Sequence, residues 1–294
     1  MKSERILITG CNGQLGKTLQ ELSNEFPDHQ FYFTDIENLD ITNLSSIRSY
    51  LKEHQISVII NAAGYTAVDK AEDETALAYL VNMTAVQNLA TAAKELNSLL
   101  VHISTDYVFD GESSVPYKTT DQPHPISIYG KSKLAGEEEI LKVGGRSVII
   151  RISWLYSLYG NNFVKTMLRL SKKNGEIKVV SDQWGSPTNA MDLSRVIMQI
   201  VTSEKEISQP TIYHYSNAGK TNWYEFTKKI LDLSESQCKL AAISTSEYAT
   251  KAKRPKFSLF DHTKIIKEYA ITIPKWEESL QRDIEKIKEN TDCQ

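Results

Sequence analysis

A glycine-rich loop near the N-terminus constrains the fold of this chain more than any other feature. It runs Gly10-Cys11-Asn12-Gly13-Gln14-Leu15-Gly16, directly after an apolar strand pattern and directly before a helical pattern. In such a G-x-x-G-x-x-G loop the first glycine permits the tight turn, the second lets the backbone approach a pyrophosphate, and the third lets the helix pack closely. Free N–H groups at the helix start can then hold phosphates. The loop therefore predicts a dinucleotide site.

The rest of the first half fits this prediction, because short apolar runs alternate with helical patterns. Strands are predicted at residues 5–9, 31–34, 57–61, 99–104 and 147–152, and a long helix at 76–96. The strands are continuously apolar, which is typical of a parallel sheet covered by helices on both faces. Alternating strands and helices indicate βαβ units with right-handed crossovers. The predicted fold class is α/β, a Rossmann-type doubly wound parallel sheet with a smaller C-terminal α/β substrate lobe.

The regular pattern ends near Trp154, which sets the predicted domain boundary. Residues 1–153 are predicted to form the NAD(P)-binding domain, and residues 154–294 mainly a substrate-binding lobe. Some segments between about 177 and 216 are candidates to complete the main sheet.

Charge and cysteine content exclude several functions. The formal net charge is −3 and no long Lys/Arg block occurs, so the charge distribution does not favour nucleic acid as a partner. No apolar run approaches the ~20 residues of a membrane span. The three cysteines, Cys11, Cys238 and Cys293, fit neither a metal site nor a disulfide framework. We therefore expect a cytoplasmic protein with no bound metal.

Two aspartates follow the second predicted strand. Asp35 lies about 20 residues after Gly16, where a carboxylate can accept hydrogen bonds from the adenosine ribose. Such a carboxylate repels the 2′-phosphate of NADP, so Asp35 favours NADH, although it could also be a simple turn residue. Asp40 and Ile41 could line an adenine pocket. The small residues after the third strand would let a cofactor lie across the sheet edge: Ala62, Ala63 and Gly64.

A proton-transfer set is indicated by Tyr129 and Lys133, which have the Y-x-x-x-K spacing. Residues four apart share a helix face, and an ammonium beside a phenol would lower the pKa of the tyrosine. Thr105 lies at the carboxyl end of the fourth predicted strand, where open parallel sheets bind ligands. It could donate a hydrogen bond to a substrate carbonyl that Tyr129 protonates.

These motifs together resemble the extended short-chain dehydrogenase/reductase family over essentially the full length. The more specific stretches are AVDKAE at 67–72 and STDYVFDG at 104–111, followed by YGKSKLAGE, RISWLY, NNFVKTMLR and DQWGSPT. The resemblance implies that Thr105, Tyr129 and Lys133 are catalytic and that Lys133 also bonds the nicotinamide ribose. It implies a cofactor site lined by Asn12, Gly13, Gln14, Leu15, Asp40, Ile41, Ala62, Ala63 and Gly64. It implies sugar-nucleotide contacts from Thr105, Asp106 and Trp154, with Tyr107, Val68 and Arg254 as neighbours.

The implied reaction is reduction of the C4 ketone of a dTDP-linked 4-keto-6-deoxy sugar. NADP(H) would be the usual cofactor, with NAD(H) also accepted. Related 4,6-dehydratases carry a glutamate where this chain has Tyr107, so elimination lacks one partner. An epimerase, another reductase, or a non-catalytic NADP-binding regulatory subunit remain alternatives. Some relatives form metal-bridged dimers, which leaves a homodimer open, but Thr18 stands where one acidic ligand would be, so no metal is predicted.

Overall fold

The structure, a computed structural model, describes residues 3–292 of the chain. Its first half contains, in order, β1 (Arg5–Thr9), α1 (Gln14–Ser23), β2 (Gln30–Thr34), α2 (Leu44–Glu53), β3 (Val58–Asn61), α3 (Val68–Ala71), α4 (Thr75–Tyr79), a π-helical segment (Leu80–Thr84), α5 (Ala85–Glu95), β4 (Leu99–Thr105), a 3-10 turn (Asp106–Val108), α6 (Ile128–Val143) and β5 (Ser147–Ile152). The second half contains β6 (Leu155–Tyr156), α7 (Phe163–Lys173), β7 (Glu176–Val180), β8 (Trp184–Gly185), β9 (Thr188–Asn189), α8 (Ala190–Val201), β10 (Thr211–Tyr215), β11 (Thr221–Asn222), α9 (Trp223–Leu233), β12 (Lys239–Ile243), a 3-10 turn (Thr245–Glu247), α10 (Thr263–Tyr269) and α11 (Trp276–Asp292).

The central sheet has six parallel strands in the order β10-β5-β4-β3-β1-β2. Its strands bury aliphatic side chains on both faces. One face packs against α1, α8 and α10, and the other against α2, α5 and α6. The predicted doubly wound parallel sheet is therefore confirmed.

The strand order places a crevice beside the glycine loop. The chain passes from β1 to β2 on one side and then returns to β3 on the other, so the direction of winding reverses between β1 and β3. Open α/β sheets bind ligands outside the carboxyl ends of the strands at this switch point. Gly10 ends β1 there with φ +65°, and a Cβ on it would lie 2.7 Å from the Ala63 backbone after β3.

The remaining strands form short pairs outside the central sheet: β7 with β12, β8 with β11, and β6 with β9. They surround a second core that contains Tyr156, Phe226 and Trp276. Within the 177–216 region, β10 joins the central sheet, whereas β7 pairs with β12. The domain boundary after residue 153 stays a prediction.

The helix predicted at 76–96 is not continuous, because a π-helical segment separates α4 from α5. Asn82 in this segment is fully buried. Its amide accepts from the Tyr65 N–H and donates to the Tyr65 carbonyl and to the Ser132 hydroxyl at 2.9–3.0 Å. These contacts tie the segment to the loop after β3 and to α6.

Cys11 and Cys238 are free thiols, and Cys293 lies outside the described residues. Among residues 3–292, no helix combines the length and the apolar character that crossing a membrane would need.

Candidate active site

The glycine loop leaves the backbone N–H groups at the start of α1 without a side-chain cap. Gly13 occupies the N-cap position, and neither a side-chain cap nor an acidic first-turn residue competes for the helix N–H groups. A Cβ on Gly16 would lie 2.3 Å from the Gly10 carbonyl oxygen, so only glycine lets α1 approach the loop this closely. The loop has the shape that a phosphate cradle needs.

A cleft of about 390 Å³ extends from this loop across the carboxyl ends of β1, β2 and β3. It brings together most of the residues predicted to bind the cofactor: Gly10, Gly13, Asp35, Asp40, Ile41, Ala62, Ala63 and Gly64. Six further residues, which were not predicted, also line it: Thr9, Thr34, Ile36, Leu39, Thr42 and Val81. Several of these residues are next to a predicted residue in the sequence, and this proximity was the only indication that they line the cleft. We call this space the first cleft.

The other predicted cofactor residues lie around the first cleft rather than along its wall. Asn12 is exposed and its N–H donates to Asp35 at 3.0 Å. Gln14 accepts from the Ser157 hydroxyl at 3.5 Å, so it faces the second half of the chain. The Leu15 side chain is buried in the core, because it lies on the inner face of α1. Leu15 can therefore offer only its backbone to a ligand.

Asp35 is fixed by the backbone, which supports its predicted position beside a ribose. Its two carboxylate oxygens accept from the N–H groups of Asn12 and Ile36 at 3.0 and 2.9 Å. Asp40 also lines the first cleft, but its Oδ1 already accepts from the N–H and hydroxyl of Thr42. The carboxylate of Asp35 is thus a fixed negative charge at the cleft.

Replacing Asp35 with asparagine should shift cofactor preference toward NADPH. The change removes a charge that repels a 2′-phosphate and keeps a hydrogen-bonding side chain, so we expect the ratio of Kd values, NADPH to NADH, to fall by roughly tenfold. Fluorescence titration of both cofactors measures this ratio. Glu37→Gln is the matched control, because it removes a carboxylate two residues further along the chain. A ratio unchanged in Asp35→Asn would show that Asp35 does not face the ribose.

The predicted proton-transfer residues come together at the carboxyl end of β4. Thr105 ends that strand, and its hydroxyl donates to Asp106 at 3.1 Å. Tyr129 and Lys133 share one face of α6. Ser127 is the N-cap of this helix, and its hydroxyl accepts from the Gly130 N–H. The rings of Tyr129 and Tyr107 meet edge to face, with centroids 5.4 Å apart.

The pKa of Tyr129 moves in the direction opposite to our expectation. Burial raises it to about 12, the Thr105 hydroxyl opposes the rise, and Asp106 adds to it. The prediction that Lys133 lowers this pKa is wrong for the structure, because Lys133 Nζ instead donates to the Ile103 carbonyl at 2.6 Å. Burial also lowers the pKa of Lys133 to about 8, although the negative charge of Glu137 acts to raise it. Tyr129 is therefore fully protonated at neutral pH, as a proton donor must be.

A second space, of about 380 Å³, opens beside Tyr107, whose ring contacts Tyr129, and we call it the second cleft. Two predicted substrate residues line it, Tyr107 and Arg254. Arg254 is held by a two-pronged ion pair with Asp69, at 2.7 and 3.2 Å. The guanidinium lowers the pKa of Asp69, so the pair stays charged. Sequence reasoning missed Asp69 as a partner because the two residues are far apart in the chain.

The other predicted substrate residues sit beside the second cleft rather than in its lining. Asp106 is buried, and burial raises its pKa to about 6, against hydrogen bonds from Ser258 and Thr105. Val68 begins α3 and is half-buried, next to Asp69.

Trp154 has an unusual backbone and stacks on a residue that was not predicted. Its φ is +49°, a left-handed conformation that costs a residue with a side chain free energy. Its ring lies on Trp223 at 3.8 Å between centroids, with 16° between the planes. Trp223 lines the second cleft. The helical pattern of α9 gave no indication of this role.

The Tyr129–Lys133 pair lies between the two clefts. A Cβ on Gly64, a wall of the first cleft, would lie 3.9 Å from Lys133 Nζ, and Tyr107 of the second cleft contacts Tyr129. A tyrosine–lysine pair on a helix, next to a strand-end threonine and a glycine loop at the switch point of a parallel sheet, is the arrangement of a short-chain dehydrogenase/reductase.

Comparison with known proteins agrees with this class. A family model described as the RmlD substrate binding domain matches residues 4–289. The dTDP-4-dehydrorhamnose reductase of Aggregatibacter actinomycetemcomitans is 44% identical over 287 residues, which cover 94% of this chain and 97% of the relative. A dTDP-4-dehydrorhamnose reductase from Bacillus anthracis, solved in complex with NADP, superposes with a TM-score of 0.92 at 42% identity, covering 97% of this chain and 100% of that one. The chain belongs to the RmlD family, and the resemblance inferred from its motifs is confirmed.

Proposed function

We propose that this protein reduces the C4 ketone of dTDP-4-dehydro-L-rhamnose to dTDP-L-rhamnose with NADPH, and that NADH can replace NADPH. The observation that carries the proposal is the position of a protonated Tyr129 and of Lys133: Lys133 Nζ lies near Gly64 of the first cleft, and Tyr129 contacts Tyr107 of the second cleft. Relatives that match over nearly the whole chain carry the name of this reductase. We place the reaction in the cytoplasm, where the sugar nucleotide would be available.

The first cleft fits a dinucleotide. The uncapped start of α1 would offer N–H groups to the pyrophosphate, Asp35 would accept from the adenosine ribose, and Asp40 and Ile41 would line the adenine pocket. The position of Lys133 Nζ beside Gly64 fits a bond to the nicotinamide ribose. When bound, a reduced nicotinamide supplies the hydride for the ketone carbon.

Residues of the chain would then supply the proton to the ketone oxygen. Thr105 would orient the ketone by turning its hydroxyl proton from Asp106 to the ketone oxygen. Tyr129 gives its proton to the same oxygen as negative charge develops there, which is general acid catalysis. Its raised pKa keeps the proton in place until an alkoxide, a much stronger base, forms beside it. Lys133 would bind the nicotinamide ribose of the cofactor.

The second cleft fits the nucleotide part of the substrate. Its walls combine the aromatic faces of Phe163 and Trp223 with the charges of Lys178 and Arg254. Aromatic faces can stack on a pyrimidine, and the cations can meet a diphosphate. Trp154, stacked on Trp223, would contact the sugar, as the family resemblance implies.

Replacing Trp223 with alanine should therefore weaken substrate binding selectively. We expect the KM for the sugar nucleotide to rise by roughly tenfold, because Trp154 loses its stacking partner and the cleft loses a wall. The Kd for NADPH should stay unchanged, since Trp223 is not part of the first cleft. Tyr224→Ala, the next residue of α9, is the control. Equal effects on both ligands would mean general damage to the fold.

The function itself is tested by NADPH oxidation with a panel of nucleotide-linked 4-keto sugars. We expect turnover to be fastest with dTDP-4-dehydro-L-rhamnose and measurable with both cofactors. Tight NADPH binding without turnover of any sugar would refute the proposal and favour a regulatory subunit. Metal analysis of the same preparation checks the prediction of no bound metal, and light scattering decides whether the protein is a homodimer.

A further inference from the structure

The stretch AVDKAE, at residues 67–72, forms the short helix α3 and its C-cap, and it carries two carboxylates, Asp69 and Glu72. Neither carboxylate lines the first or the second cleft. Each of them nevertheless binds a segment that does belong to the site: Asp69 binds Arg254, and Glu72 binds the start of α6. These contacts connect one turn of helix with both the substrate side and the proton donor.

α3 is a fixed point in the structure, because the chain around it is tied on both sides. Before α3, the Tyr65 N–H donates to Asn82 at 2.9 Å and the Tyr65 carbonyl accepts from Asn82 at 3.0 Å. After α3, Glu74 accepts from the Tyr65 hydroxyl at 2.7 Å, which closes the segment into a loop. Ala71 is fully buried, and α3 packs against α4 and α6. Side chains of α3 can therefore hold other residues in place.

Asp69 fixes both the side chain and the backbone of the segment that carries Arg254. Its Oδ1 and Oδ2 accept from Nη1 and Nη2 of the guanidinium at 3.2 and 2.7 Å. Asp69 Oδ1 also accepts from the Ala252 N–H at 3.0 Å, while the Ala252 carbonyl accepts from Arg254 Nη1 at 3.0 Å. The guanidinium is thus oriented before any ligand binds.

This arrangement leaves one edge of the guanidinium for a ligand. Of the five N–H groups of an arginine, Asp69 and Ala252 use both on Nη1 and one on Nη2. The other two, on Nε and Nη2, have no acceptor within the part of the chain that the structure describes. Two parallel N–H groups on one edge match two oxygens of a phosphate. Because Arg254 lines the second cleft, this edge suits the diphosphate of a sugar nucleotide.

Glu72 makes the corresponding contact with the helix of the proton donor. Its Oε1 accepts from the N–H of Ile128, the first residue of α6, at 2.9 Å. The first N–H groups of a helix lack partners within the helix, and a carboxylate there also interacts favourably with the helix dipole. Tyr129 is the next residue, so the position of this first turn determines where its phenol lies.

We propose that Asp69 and Glu72 are positioning residues, Asp69 for Arg254 and the substrate diphosphate, and Glu72 for the first turn of α6 and the proton donor Tyr129. Because both carboxylates belong to α3 and its C-cap, this helix sets the position of the bound nucleotide relative to the reacting phenol. The inference rests on the proposed function and assigns a role to two carboxylates of the AVDKAE stretch that lie outside both clefts.

Asp69→Asn should weaken binding of dTDP to the NADP-bound protein by roughly tenfold. Asparagine keeps an acceptor for the Ala252 N–H, but it loses the charge and one of the two oxygens that orient Arg254 in advance. Calorimetry measures the Kd for dTDP, and kcat for the sugar nucleotide should stay within about twofold of wild type. Asp73→Asn is the matched control, because Asp73 pairs with the exposed Lys251 in the same region and should not affect dTDP binding.

Glu72→Ala should have the reverse effect and lower kcat by roughly 10- to 100-fold, because the proton donor is displaced. The Kd values for dTDP and NADPH should stay unchanged, and the solvent deuterium isotope effect on kcat should increase as proton transfer becomes slower. Glu72→Gln keeps an acceptor for the Ile128 N–H and should restore most of kcat. Asn43→Ala, which removes the N-cap of α2, is the control for loss of a helix cap and should leave kcat unchanged.

The division of effects between the two variants decides the inference. A Kd for dTDP that is unchanged or lower in Asp69→Asn would overturn it, as would a kcat of Glu72→Ala within about twofold of wild type. Equal losses of kcat and of dTDP binding in either variant would indicate general damage to the fold and would also overturn it. Wild-type protein that binds NADPH but turns over no sugar would instead refute the proposed function.

Discussion

Tyr129→Phe should lower kcat for reduction of the sugar nucleotide by about 10²- to 10⁴-fold, the usual contribution of a general acid. The phenyl ring keeps the edge-to-face contact with Tyr107 and removes only the hydroxyl. The Kd for NADPH should therefore change little. Stopped-flow measurement of NADPH oxidation at saturating substrate, combined with fluorescence titration of the cofactor, gives both quantities.

The matched control is Tyr50→Phe, which removes a phenol hydroxyl from α2 and should leave kcat unchanged. If Tyr129→Phe retained more than about one tenth of wild-type kcat, Tyr129 would not be the proton donor. A variant that lost NADPH binding as well would indicate damage to the first cleft rather than to proton transfer.

Glu137→Ala should destabilise the protein by about 3–5 kcal/mol, because it leaves a buried guanidinium without its partner. Glu137 and Arg151 are 1% and 2% exposed, and their three hydrogen bonds are 2.6–3.1 Å long. Glu137 also accepts from the buried Ser104 hydroxyl, next to Thr105. The loss is measured as the free energy of unfolding in urea.

Glu25→Ala is the control for this effect. It breaks the pair of Glu25 with Arg195, which has similar geometry but about half of each side chain exposed. Surface pairs contribute about 0–1 kcal/mol, so this variant should unfold almost like wild type. Comparable losses in the two variants would contradict the assigned role of burial.

The parts of the fold that depend on neighbouring residues could be predicted from the sequence. The strand at 5–9 and the start of α1 matched because an apolar run, three glycines and an amphipathic pattern lie next to each other. β3, β4 and β5 each contain a run of consecutive aliphatic residues, which is typical of buried parallel strands. α1 ends at Ser23, although Phe26 continues the apolar pattern and packs on the same core from beyond the helix.

The features that the sequence did not reveal depend on distant contacts. The π-helical segment follows from bonds of Asn82 to a loop and to another helix. The pair of Asp69 with Arg254 and the stack of Trp154 on Trp223 join different parts of the chain. The pKa of Tyr129 depends on burial and on where the Lys133 nitrogen points, which the Y-x-x-x-K spacing cannot specify.

The most direct test of the central claim uses NADPH carrying deuterium at the transferable C4 position of the nicotinamide. The protein is incubated with this cofactor and dTDP-4-dehydro-L-rhamnose, and the product is examined by ¹H and ²H NMR. We predict one deuterium at C4 of the sugar in dTDP-L-rhamnose and none at other carbons. Deuterium that stays on the cofactor, or appears elsewhere on the sugar, would contradict the assignment of this chain as a C4 ketone reductase.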